Sequence, residues 1–143
     1  MIEAQERQFR WVEDRPLVKE QETVPNLMAK IHSEHMELYV ETVRTPPSRE
    51  AIGQECADIV LYVMSLCNLY GIDLGEAIFK KQNLNDRRFP VHMFDGSTFP
   101  TFSEAYEEAK RLEKEGLIAD FSRPKPTPSL ESAFEKDNGY PNL

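Results

Sequence analysis

Residues 49–70 read REAIGQECADIVLYVMSLCNLY, and the period of this stretch decides the fold class. Ile52, Cys56, Ile59, Val63, Leu66 and Tyr70 recur at spacings of three and four, which is the signature of one helix face. Ser48 stands where an N-cap belongs, and Gly71 where the chain leaves the helix. Ile59 to Met64 are apolar at every position, so the middle of this helix has almost no polar face. A helix of that kind has to be covered on all sides, for which three or four helices of one small chain barely suffice. A homodimer sharing this helix in a bundle is the natural remedy.

The same period extends in both directions. Leu27, Ile31, Glu34, Leu38 and Glu41 predict a helix over about 26–43. A third is predicted over 74–88, opened by a capping-box pattern of Asp73 with Glu76, and a shorter fourth over about 102–115 with Ser103 as its cap. No alternating segment bounded by turn residues stands out, so the chain reads as all-α: a helical bundle whose four-helix core is completed by homo-oligomerisation. The division expected is an all-α domain over 1–93 and a C-terminal extension over 94–143. That extension reads as a loop with an Asp95-Gly96 turn, one charged helix and, from 121, a Pro-rich polar arm or tail.

A chain of 143 residues can bury one core without staples. Its 25 acidic residues against 17 Lys plus Arg give a net charge of -8, which argues against a protein that coats DNA or RNA. A single nucleotide held through metal ions is not excluded. No apolar run reaches the length of a membrane span, and the N-terminus lacks the pattern of a signal peptide. Cys56 and Cys67 lie in the apolar run and make no disulfide framework, so a reduced, cytoplasmic setting is expected.

The chemistry lies in two short acidic spacings. Glu34 and Glu37 are three apart on one predicted helix, with Glu41 a turn further, and Glu55 and Asp58 are three apart on the next. Glu55 and Asp58 are embedded beside Cys56, Ile59 and Val60, and no Lys or Arg occurs from Ala51 to Phe79. Carboxylates gathered without basic partners repel one another and shift their pKa values, unless cations lie between them. Mg2+, with its preference for carboxylate oxygens and phosphates, is the standard solution. The chain then changes sign: Lys80, Lys81, Arg87 and Arg88 are opposed only by Asp86. An acidic metal nest followed by a basic cluster is what a triphosphate requires.

These residues resemble the all-α nucleoside triphosphate pyrophosphohydrolases, the family that includes MazG and the dCTP pyrophosphatases, and are most similar to the latter. The ExxE and ExxD pairs of that family read here Glu34-His35-Met36-Glu37 and Glu55-Cys56-Ala57-Asp58. The resemblance covers about residues 26–93, including Asn26-Leu27, Asp58 to Tyr62, Gly71 to Leu74, and the ending Lys81, Asn85, Arg88, Phe89, Pro90. It implies a four-helix bundle assembled as a homodimer or homotetramer. It implies Mg2+, with Mn2+ as a substitute, held by Glu34, Glu37, Glu55 and Asp58, the catalytic set, with Lys81, Asn85 and Arg88 on phosphates or sugar. The reaction implied is hydrolysis of an NTP or dNTP to the monophosphate and pyrophosphate, by metal-activated water attacking the α-phosphorus, in nucleotide pool sanitation or balance. Trp11 would stack on the base, or anchor the N-terminal segment. The sequence departs from the family at His32, Ser33, His35 and Met36, where small or apolar residues, often Gly, are common.

Other nucleotide enzymes lack their motifs here. The chain has no P-loop, no complete Nudix box and no Glu-x-x-His for a di-iron bundle. Two alternatives remain: an enzyme like phosphoribosyl-ATP pyrophosphohydrolase, which shares the carboxylate logic, and a catalytically silent helical dimer that binds nucleotides or regulates a partner.

Overall fold

The computed structural model describes residues 2–117, and all the regular structure among them is helical. The all-α class predicted from the periods is what the chain adopts. Expectations for residues 121–143 lie outside the described residues. The elements are α1 (Glu3–Glu13), α2 (Pro16–Lys19), α3 (Val24–Val43), α4 (Arg49–Leu69), α5 (Leu74–Arg88), α6 (Val91–Phe94) and α7 (Phe102–Lys114). Among the described residues, those up to Glu76 form one compact unit and those from Ala77 to Leu117 another, and α5 contributes to both.

In the first unit α3 and α4, with five residues between them, pack along each other as an antiparallel pair. Each boundary has a local cause. Thr23 caps α3 by accepting from the Asn26 amide at 3.4 Å, with Pro25 in the first turn. Ser48 caps α4 as predicted, its hydroxyl accepting from the Ala51 amide at 3.2 Å. The α4 helix ends in a Schellman pair, Gly71 N–H to Asn68 carbonyl and Ile72 N–H to Cys67 carbonyl. Gly71 takes φ 63°, a value that only glycine adopts without strain. The Asp73 carboxylate then accepts from the Glu76 amide at 3.0 Å and starts α5.

The sequence periods do not announce α1, which packs along α4. Its anchor is polar. Gln5 is completely buried, donating from Nε2 to Asn68 Oδ1 at 3.0 Å and to the Ile72 carbonyl at 2.7 Å, and accepting at Oε1 from the Leu74 amide at 3.0 Å. One side chain thus ties α1 to the end of α4, its turn and the start of α5. Gln8 adds a hydrogen bond to buried Ser65.

In the second unit α6 packs on α7. The predicted cap of the last helix is corrected: Thr101 caps α7 by accepting from the Glu104 amide, and Ser103 lies inside the first turn. Both are hydroxyl residues near the same boundary. Thr101 wins because it is extended, with φ -131° and ψ 153°, and stands three residues before the amide it caps.

Candidate metal centre

The α3–α4 pair brings the predicted acids together. One carboxylate oxygen each from Glu34, Glu37 and Glu55 lie within 4.8 Å of one another. Glu34 and Glu37 come from successive turns of α3, and Glu55 from the facing turn of α4. Asp58, one turn beyond Glu55, contributes its charge at Glu34. The carboxyl pKa of Glu34 is raised above its ordinary value, first by burial and then by the charges of Glu37, Asp58 and Glu55.

A divalent cation fits this set. Glu55 Oε2 is buried and accepts no hydrogen bond among the described residues, which leaves a carboxyl oxygen oriented and unsatisfied. The donors are all carboxylate oxygens, the type that hard cations prefer. Cation-free, the cluster stores repulsion. Because the folded protein holds the Glu34 proton to higher pH than the unfolded chain does, the associated stability is present at low pH and lost as pH rises through the raised value. Glu34→Gln in metal-free buffer is therefore expected to melt higher than the parent near pH 8, the difference closing towards about pH 4. Added Mg2+ should stabilise the parent and much less the variant; thermal melts over pH check both.

Two differences from expectation concern α4. Asp58 is exposed and Glu55 only partly buried, not embedded, because α4 is covered by α3 and α1 on part of its circumference only. For the same reason Val60 and Leu61 are 46% and 39% exposed, so the apolar middle of α4 is not buried on all sides within the described chain.

The remaining predicted residues are placed as follows. His32, His35 and Met36 are exposed on α3. Trp11 is 45% exposed on α1, with the Arg15 guanidinium 4.3 Å from its ring centroid. Lys81 and Asn85 are exposed on α5, in the second unit, and Arg88 at the end of that helix pairs with Glu113. Two shallow hollows of about 300 and 220 Å3 share Phe9 and Asn68 in their walls and include none of the four carboxylates.

Two residues beside the cluster were not singled out from the sequence. The Tyr62 hydroxyl has its pKa raised by burial and then by Glu34, Asp58, Glu22 and Glu37, and the Lys30 ammonium lies 5.2 Å from its ring centroid. Tyr62 is four residues after Asp58 and Lys30 four before Glu34, a signal that helical spacing could have given.

A 53-residue stretch, 37% of this chain and 31% of the relative, is 38% identical to dCTP pyrophosphatase 1 of Bos taurus. Over that stretch the chain is similar to a dCTP pyrophosphatase. Similarity to the Mus musculus protein of that name is 35% over 52 residues, and to the Homo sapiens protein 32% over 54 residues, 38% of this chain. The matched stretch spans about a third of the length of these curated relatives. No family model matches the chain, and no solved structure matches it significantly.

Proposed function

We propose that this protein is a Mg2+-dependent nucleoside triphosphate pyrophosphohydrolase that converts an NTP or dNTP to the monophosphate and pyrophosphate. The observation that carries the proposal is the close approach of the Glu34, Glu37 and Glu55 oxygens, beside a buried Glu55 oxygen that has no hydrogen-bond partner among the described residues. The kinship with dCTP pyrophosphatases points to the same reaction class.

Glu34, Glu37, Glu55 and Asp58 would hold the cations. When bound, these supply charge neutralisation for both carboxylates and phosphates and acidify coordinated water. The protein's own part is then to fix the carboxylates on two rigid helices and to supply cationic contacts to the polyphosphate from Lys81 and Arg88, with Asn85 on phosphate or sugar. Trp11 is the proposed contact for the base. Residues 1–93 would form the catalytic domain, and 94–143 its extension. The exposed apolar side chains of α3 and α4, among them Tyr39, Val40, Val60 and Leu61, support a homodimer or homotetramer, in which a second copy would cover them. No single helix among the described residues is long and apolar enough to cross a membrane. The cytoplasm is the proposed location, with pool sanitation or balance as the role.

The decisive assay is a panel of common and modified dNTPs and NTPs with Mg2+ or Mn2+, reading pyrophosphate against orthophosphate. Pyrophosphate release from at least one substrate is expected. Orthophosphate as the primary product, or no turnover across the panel, would contradict the assignment.

A further inference from the structure

Arg88 is the last residue of α5, and its guanidinium is engaged within the second unit. Its Nη2 donates to Glu113 Oε1 on α7, in an ion pair whose side chains are only 17% and 26% exposed. Its Nε is buried and has no hydrogen-bond partner among the described residues. Nε and Nη2 form the edge with which an arginine grips a carboxylate or phosphate through two parallel bonds. On Arg88 that edge is covered by an acid that satisfies one of its two donors.

The acid is held in place by packing that does not depend on the ion pair. Phe89, next to Arg88, stacks on Tyr106 of α7 with centroids 6.2 Å apart, and Phe94 of α6 lies 5.8 Å from Phe102. Ala105 and Ala109 of α7 are buried. Glu113 sits in the last turn of a helix closed by its own Schellman pair at Gly116, which has φ 73°.

We propose that Glu113 is an internal anion on the phosphate-gripping edge of Arg88, which a polyphosphate must displace in order to bind, so that α7 sets the affinity for the substrate's phosphates. The proposal rests on Arg88 being a phosphate contact, as proposed above. A phosphate has the advantage in this exchange: with oxygens to spare, it satisfies Nε as well as Nη2, and the displaced carboxylate moves from a partly buried position into water.

The test is calorimetric binding of inorganic pyrophosphate with Mg2+ to the full chain, comparing the parent, Glu113→Gln, Arg88→Gln and the double variant. Glu113→Gln keeps the size of the side chain and removes its charge. Pyrophosphate is expected to bind it about 3- to 10-fold tighter than the parent, with no such gain when Arg88 is also Gln. Glu113→Ala, which cannot rebuild the hydrogen bond, should move affinity in the same direction. Helical content of each variant is checked by circular dichroism.

Unchanged or weaker binding by Glu113→Gln would overturn the proposal, weaker binding meaning that Glu113 positions Arg88 for the ligand. Should Arg88→Gln weaken pyrophosphate binding while Glu113→Gln has no effect, the competition fails and the phosphate role of Arg88 stands. Should Arg88→Gln itself leave pyrophosphate affinity unchanged, that role fails and takes the competition with it.

Discussion

Glu55→Gln and Asp58→Asn are each expected to lower kcat/KM for Mg2+-dependent pyrophosphate release by at least about 100-fold, a loss typical of damage to a metal site. Each replaces a proposed cation ligand by an amide of the same shape, so the helices should be unaffected. The stability of the metal-free protein should hold or rise, because a charge leaves a cluster in which Glu34 is already disfavoured in its ionised form. Loss of activity without loss of fold separates a metal centre from a solvated acidic face. If both variants retain more than about a third of parental turnover, the four carboxylates are not the catalytic set. Calorimetric titration with Mn2+ reads the same point without turnover: the parent should bind, and Glu55→Gln should bind much more weakly.

The second large effect is on stability. Gln5→Leu fills similar space but removes the three hydrogen bonds that the Gln5 side chain makes to Asn68 Oδ1, the Ile72 carbonyl and the Leu74 amide. Leaving these part-buried groups unsatisfied costs about 2–4 kcal/mol in total. The melting temperature should fall by roughly 8–15 °C for a chain of this size. A shift under about 2 °C in a thermal melt would show that α1 is held by its apolar side chains and not by Gln5.

That pairing explains where the sequence was legible and where it was not. The α3 and α4 helices and the Ser48 cap follow from residues that act locally: apolar side chains at helical spacing and a hydroxyl before the first turn. The grouping of Glu34, Glu37 and Glu55 follows as well, because two acids on one face of each helix of a hairpin must meet if those faces meet. The polar anchoring of α1 was not legible, since its one completely buried side chain is a glutamine whose three partners lie 63 to 69 residues away. A period search registers hydrophobicity and is blind to a buried polar hub.

The pairing of Arg88 with Glu113 was equally hidden. Taken alone, Arg88 is one of four basic residues of α5, and Glu113 is one of four acids on an amphipathic helix. The packing of α7 on its neighbours, Phe89 on Tyr106 and Phe94 against Phe102, accompanies their pairing. The exposure of Asp58 and Leu61 has a different origin. An apolar helix predicts that something covers it, and the described part of the chain covers α4 only in part.

The central claim, that this carboxylate centre serves hydrolysis at the α-phosphorus, is tested most directly by following turnover in 18O-labelled water by mass spectrometry. The account predicts that label enters the nucleoside monophosphate and that the released pyrophosphate carries none. Label in the pyrophosphate, or in free orthophosphate as the first product, would place the attack on a different phosphorus and contradict it.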